Sequence, residues 1–208
     1  MQWETYFNIL LDKYGLLSRL KDLEALGSEI LRWNKTHNLT AYNNWPVIAM
    51  GLMADSLILA EFCKQGSCLD IGSGAGFPGL MLALARPDIK VTLIDARRKR
   101  VSFQQHAARM LNLGNVSCVW GRAGEGRDAL IGEKYDTVTC KALSSLPLAL
   151  QLCQKYAKSD AKIVLPRGSG DLREIAALVN AMSVHHELHE YELPLLPGKR
   201  FVLVLAAR

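Results

Sequence analysis

Between Cys68 and Gly79 the chain reads CLDIGSGAGFPG. A hydrophobic run ends at Asp70, and the turn after it carries Gly72, Gly74 and Gly76. Glycines at such a turn let the backbone come close to a ligand. The segment Gly74 to Gly79 satisfies G-x-G-x-x-G, which on its own is a weak dinucleotide pattern. A dinucleotide also needs helix N-terminal N–H groups aimed at a pyrophosphate. Pro78 deletes one such donor, and Asp70 would put negative charge near any phosphate. S-adenosylmethionine makes the opposite demand. It has no phosphate, and its sulfonium and amino groups suit a carboxylate at a strand end. Asp70, Gly72, Ser73, Gly74 and Gly76 therefore point to S-adenosylmethionine, with Asp95 at the end of the next strand to accept from the ribose hydroxyls. Arg97 and Arg98 follow Asp95 and keep an NADP 2′-phosphate site open as one alternative, a purely structural turn being the other.

These residues need a frame that delivers strand ends to one edge. From Ser67 onward short apolar runs (Cys68–Ile71, Val91–Ile94, Val116–Trp120, Thr137–Cys140, Ile163–Leu165) alternate with helix candidates near Leu80–Ala85, Lys99–Leu113, Leu146–Lys155 and Asp171–Ser183. That alternation predicts an α/β fold with a parallel sheet covered on both faces, whose ligand lies at the carboxyl ends of the strands. His185–Tyr191 and Arg200–Ala206 lack a helix between them and predict an antiparallel hairpin closing one edge. The first 62 residues read as helical. Leu20, Leu23, Leu26, Ile30 and Leu31 recur at helical spacing behind Ser18 as a candidate N-cap, and another helix starts near Asn44 with Pro46 in its first turn. Residues 1–62 are thus expected to form a helical extension packed on a core of 63–208, in one compact unit.

Composition bounds the rest. The chain has 208 residues, half of them hydrophobic and 22% charged, an ordinary globular balance that excludes disorder. The net charge of +5 tilts toward a polyanionic partner. The N-terminus lacks a basic region followed by an apolar run, and Trp45 to Phe62 carries Asp55 and Glu61, so it reads as a buried helix rather than a membrane span. Five scattered cysteines (63, 68, 118, 140, 153) without a CxxC pair read as reduced thiols. The expectation is a cytoplasmic monomer with no membrane partner.

The sequence also resembles a known family. Trp33-Asn34-Lys35-Thr36-His37-Asn38-Leu39-Thr40 is similar to its WNKxxNLT stretch, and Asp55-Ser56 to its following Asp-Ser. Gly72 to Gly79 resembles its glycine loop with the unusual Pro-Gly ending; Asp95, Lys99 and Arg100 resemble its D-x-x-x-KR; Gly198-Lys199-Arg200 resembles its tail. This is the RsmG (GidB) family of bacterial methyltransferases that make 7-methylguanosine in 16S ribosomal RNA. The resemblance implies a Rossmann-like class I methyltransferase fold, with a seven-stranded sheet and an N-terminal helical cap. It implies cofactor contacts at Gly72, Phe77, Ala123, Gly124 and Lys141, and small-subunit rRNA or the small ribosomal subunit as partner. The chain departs from the family at Gly51-Leu52 (Arg-His in relatives), Lys141-Ala142 (Arg-Ala) and Arg167-Gly168 (Lys-Gly). Those departures leave a non-catalytic or retargeted relative, or a methyltransferase of another RNA, a protein or a small molecule, as the alternative.

The remaining residues agree with guanine N7 chemistry. N7 already carries a lone pair, so positioning and electrostatics suffice and no general base is required. The segment CKALSSLP lacks the Asp/Asn-Pro-Pro-aromatic of amino-group methyltransferases, and Cys140 lacks the preceding proline of carbon-5 enzymes and reads as a buried strand residue. Lys141 is expected to be the catalytic cation, at the pocket mouth near the cofactor carboxylate or a target phosphate. Lys35, Arg97, Arg98, Arg100, Arg122, Arg167, Lys199 and Arg200 are expected to contact RNA. Trp33 is expected to pack the helical cap on the sheet. His185, His186 and His189 have no cysteine or acidic cluster beside them and read as surface residues rather than metal ligands.

Overall fold

A computed structural model of the chain describes residues 1–124, 130–141, 145–181 and 185–207. Seven strands form one sheet: β1 (Gly66–Ile71), β2 (Ile89–Asp95), β3 (Val116–Trp120), β4 (Tyr135–Cys140), β5 (Ala157–Gly168), β6 (His186–Tyr191) and β7 (Arg200–Ala206). Their order is β3-β2-β1-β4-β5-β7-β6, with the first five parallel and the β6–β7 hairpin antiparallel at one edge. Four of the parallel strands end together, at Ile71, Asp95, Trp120 and Cys140, and β5 runs on past them along the same edge to Gly168.

Helices cover both faces. The N-terminal part contains α1 (Trp3–Lys13), α2 (Leu20–His37), α3 (Trp45–Ile48) and α4 (Asp55–Ile58), the last two joined by a π-helical segment, Ala49–Ala54. Helices α5 (Gly79–Ala85) and α6 (Arg98–Met110) follow β1 and β2, and α7 (Leu146–Tyr156) and α8 (Leu172–Ala181) follow β4 and β5. Strand alternation sorts the core into two layers. Cys68, Val91, Leu93 and Val164 pack with the N-terminal helices, α5 and α6. Leu69, Ile71, Ile94, Val138 and Ile163 pack with α7.

All five apolar runs and both hairpin strands, His185 apart, lie in observed strands, with β5 much longer than the run that signalled it. Its first part carries the exposed polar residues Lys158, Ser159 and Asp160, which hide a strand from hydrophobicity, and a register shift between Tyr135 and Thr137 separates it from the buried part. The Ser18 cap is corrected: Ser18 lies inside a 3₁₀ turn (Leu17–Arg19), and no side chain caps α2. The cap near Asn44 is present, its side chain accepting from Val47 N at 3.1 Å with Pro46 in the first turn. The expected end of the last helix, at Ser183, lies outside the described residues. Trp45 to Phe62 is apolar and long enough to cross a membrane, yet 67% of it is buried within the protein.

Trp33 packs α2 on α6, its ring 5.4 Å from Phe103 and 5.9 Å from His106. Asn34 closes the turn after α2 by donating to Thr40 O (2.9 Å) and accepting from Thr40 N (3.0 Å). The WNKTHNLT stretch is thus held largely by packing and turn closure.

Candidate active site

At the carboxyl ends of β1, β2 and β3 lies a cavity of about 590 Å³. Its walls include Ile71, Gly72, Ile94, Asp95, Gly121, Ala123 and Gly124. Across from the strand ends, α7 contributes Leu148, Gln151, Leu152 and Lys155. The combination is an apolar slot with one carboxylate on its strand side. Asp95 is 5% exposed at its side chain; its Oδ2 accepts from Gly74 N (2.9 Å) and lies 3.5 Å from Arg100 Nη1, and its Oδ1 accepts from Arg97 N (2.8 Å) and retains capacity for a further donor.

The glycine loop is a self-contained backbone structure. Gly72, Gly74 and Gly76 have φ of 70°, 57° and 90°, a region that favours glycine. Gly72 N and Ser73 N donate to Ile94 O, Gly76 N and Phe77 N to Ser73 O, and Gly74 N to Asp95. Gly79 N, at the start of α5, donates to Asp70 Oδ2 at 2.8 Å. Gln104 of α6, fully buried, ties the loop from below through Gly74 O (2.9 Å) and Ser73 Oγ (3.1 Å). These amides are spent on protein acceptors, and a carboxylate already occupies the start of the helix. A pyrophosphate would need the same donors.

Several expected cofactor residues shape this loop instead of lining the cavity. Asp70 is fully buried on the opposite face of β1 from Ile71, because neighbours along a strand point to opposite sides. Ser73 and Phe77 are buried at 2% and 5% exposure, and Gly74 and Gly76 lie in the fold of the loop. Burial pushes the Asp70 pKa up to about 7, against the lowering effects of the Gly79 amide and the Lys141 charge. Its Oδ1 has no partner.

A second, smaller cavity of about 120 Å³ lies farther along the same edge, at the ends of β4 and β5. Asp55, Lys141, Arg167, Asp171, Tyr191 and Arg200 are among its walls. Lys141, expected at the mouth of the cofactor pocket, is placed here: its Nζ lies 2.5 Å from Asp55 Oδ2 and donates to Gly51 O at 3.1 Å. Arg200, expected on RNA, donates to Asp55 Oδ1 at 2.8 Å, as does the Tyr191 hydroxyl at 2.8 Å. The physical reason is Asp55 itself, 2% exposed at its side chain, a buried charge that must be paired. Burial opposes its ionisation, but the charges of Lys141 and Arg200 and the hydrogen bonds of Lys141 and Tyr191 outweigh it and hold its pKa below the ordinary value. The departure at Gly51 fits this packing: a Cβ there would meet the Tyr42 ring at 2.4 Å. Ala142 lies outside the described residues.

The other basic residues disperse. Arg97, Arg100 and Arg122 line the larger cavity, and Arg100 also approaches Asp95 at 3.5 Å. Lys35 is exposed on α2, Lys199 pairs with Glu190 at 2.7 Å, and Arg98 lies over the Trp120 ring at 5.0 Å. Arg167 is buried at 8% exposure, with Nε and Nη2 unpartnered. His189 pairs with Glu187 at 3.0 Å and lies against Phe62. Among the described residues no group of three or more His, Cys, Asp or Glu side chains converges as for a metal. Sequence reasoning missed the α7 wall, although Leu148, Gln151, Leu152 and Lys155 show the i, i+3, i+4, i+7 spacing of one helix face.

The model of a family described as rRNA small subunit methyltransferase G (GidB) matches residues 19–200. Among relatives of that name, the one from Geotalea uraniireducens is 33% identical over 193 residues, covering 90% of this chain and 88% of its own. The one from Staphylococcus epidermidis is 32% identical over 186 residues, covering 86% and 78%. Among solved structures, a SAM-dependent methyltransferase from Aquifex aeolicus superposes with a TM-score of 0.62 at 17% identity, over 82% of this chain and 97% of its own. An O-methyltransferase from Bacillus cereus, solved with SAH, superposes with a TM-score of 0.60 at 16% identity, over 88% and 90%. These two likenesses establish the fold, a Rossmann-like methyltransferase sheet.

Proposed function

The chain belongs to the rRNA small subunit methyltransferase G family, and from that premise we propose that it methylates N7 of a guanine in small-subunit (16S) ribosomal RNA, with S-adenosylmethionine as donor. The observation that carries the cofactor reading is the state of the glycine loop. The amides of Gly72, Ser73, Gly74, Gly76, Phe77 and Gly79 are committed to protein acceptors, and Asp70 sits at the start of α5, so the loop suits a ligand without phosphate. The larger cavity matches such a ligand in chemistry. Ile71, Ile94, Leu148 and Leu152 offer apolar walls to an adenine, and Asp95 offers a carboxylate to ribose hydroxyls. Gly72, Ala123 and Gly124 keep that wall free of side-chain bulk. When bound, the cofactor supplies a methyl group on a sulfonium, which guanine N7 attacks with its own lone pair.

The chain's task is then to bind, orient and exclude water. Lys141 acts as a positioning residue: with Arg200 it neutralises Asp55 and fastens the N-terminal helices to the end of β4 and the start of β7. This is why residues 1–62 and 63–208 work as one compact unit. Arg167, with unpartnered N–H groups in the smaller cavity, is the cation available to an oxygen of the target nucleotide. The protein acts as a monomer in the cytoplasm, where its substrate is. The test is transfer from methyl-labelled S-adenosylmethionine to unmethylated small-subunit particles, followed by nucleoside analysis. Label in 7-methylguanosine is expected; label in another nucleoside, or none at all, overturns the proposal.

A further inference from the structure

Trp120 has no role in either cavity. It is the last residue of β3, paired in register with Asp95 at the end of β2, so it stands at the same sheet edge as the cofactor cavity. Of the four tryptophans it alone is exposed, at 56%, whereas Trp3, Trp33 and Trp45 are partly buried. An indole that open contributes little to the core. Yet its orientation is fixed: Nε1–H donates to Ala96 O at 3.1 Å, and the Arg98 guanidinium lies 5.0 Å from the ring centroid.

The exposed charges of the described residues beside the ring are basic. Residues 96–100 read Ala-Arg-Arg-Lys-Arg and residues 120–124 read Trp-Gly-Arg-Ala-Gly, flanked by one acidic residue each, Asp95 and Glu125. Arg97, Arg98, Lys99 and Arg122 are exposed. Of the two acidic residues, Asp95 is buried and engaged by two backbone amides and by Arg100 at 3.5 Å, and Glu125 lies outside the described residues. An oriented, open aromatic face inside a cluster of cations is the chemistry that binds single-stranded nucleic acid: the ring stacks a base and the cations take the flanking phosphates. A membrane surface would ask for more exposed apolar area here. The adenine of the cofactor is a poor candidate, because Ala96 and Arg97 line the cavity and Trp120 does not.

We propose that Trp120, held by Arg98 and Ala96, is a stacking platform for an unpaired base of the RNA substrate, beside the cofactor cavity rather than within it. This deepens the reading above and rests on it for the identity of the RNA. Splayed, unpaired bases are the part of an RNA that a protein reads by stacking, so the platform prefers single strands to duplex.

The test uses the full chain and a ten-nucleotide single-stranded RNA of mixed sequence, with a duplex of the same length as control. Binding is measured for wild type, Trp120→Ala, Trp120→Phe and Arg98→Ala. Trp120→Ala is expected to weaken single-strand binding roughly fivefold or more, the scale of one base stacked on an aromatic ring. Trp120→Phe is expected to restore most of it. S-adenosylhomocysteine affinity and melting temperature stay unchanged in both. Arg98→Ala is expected to reduce the salt dependence by about one phosphate contact. The proposal is overturned if Trp120→Ala binds single strands as wild type does, if wild type does not bind them, or if the variant loses duplex binding equally. Parallel loss of S-adenosylhomocysteine affinity overturns it too, by making Trp120 a cofactor contact. The probe is bare RNA and no methyl transfer is needed, so failure here is distinct from failure to make 7-methylguanosine.

Discussion

At the glycine loop the polar contacts are made by backbone. Amides from Gly72 to Gly79 donate to Ile94, Ser73, Asp95 and Asp70, all within a short span of chain. Farther along the same sheet edge, at Asp55, they are made by side chains from remote parts of the sequence: Lys141, Tyr191 and Arg200. The two buried aspartates show what this difference does. Asp55 is surrounded by donors and cations, which outweigh burial and lower its pKa. Asp70 keeps one oxygen without a partner, and burial raises its pKa to about 7. One region spends its charge on holding the architecture together. The other leaves a buried carboxyl incompletely compensated beneath the glycine loop.

The largest effect should come from breaking the compensated side. Asp55→Ala leaves Lys141 and Arg200 without their shared partner and is expected to cost about 3–5 kcal/mol in denaturant unfolding. A loss below about 1 kcal/mol would mean that the network is not structural.

Next in size is the pH response of Asp70. Its folded pKa of about 7 lies above the ordinary 3.8, so between these values the folded chain holds a proton that the unfolded chain has released. Its contribution to stability therefore falls as pH rises from about 4 to about 7 and is level beyond. Asp70→Asn removes the titration. Its stability relative to wild type should grow by on the order of 2–4 kcal/mol between about pH 4 and pH 8. A constant difference across that window would show Asp70 to be as well compensated as Asp55.

A smaller effect separates the cations of the second cavity. Arg167→Met should lower methyl transfer at least tenfold, roughly 1.4 kcal/mol, with no loss of stability. Lys141→Ala should instead lower the unfolding free energy by about 1–3 kcal/mol. Were the two phenotypes exchanged, Lys141 would be the residue that meets the nucleotide. Smallest is Gly124→Ala. Gly124 has φ of 80°, and an added Cβ would meet Leu152 Cδ1 at 2.6 Å. About 1 kcal/mol of stability and some S-adenosylhomocysteine affinity should be lost; an unchanged titration would remove Gly124 from the cavity wall.

The same contrast explains what was legible in the sequence. The strand runs and the glycine loop are local, so periodicity and residue type reveal them, as they reveal the cap at Asn44. The direction of Asp70 follows from strand alternation with Leu69 and Ile71, and the α7 wall from helical spacing; both signals were present in the chain. The polar start of β5 carries no apolar signal. The ties of Asp55 to Lys141 and Arg200 span 86 and 145 positions, and no local rule of spacing or propensity reaches that far. A lysine at a strand end looks the same in sequence whether it meets a ligand or a buried carboxylate.

The central claim is that the backbone-built cavity holds a phosphate-free cofactor even though Arg97, Arg100, Arg122 and Lys155 stand around it. Calorimetric titration of the wild-type protein with S-adenosylhomocysteine and, separately, with NADPH tests it most directly. Saturable binding of S-adenosylhomocysteine with no binding of NADPH is the predicted result. Binding of NADPH without S-adenosylhomocysteine would contradict the account, and would make those cations a 2′-phosphate site.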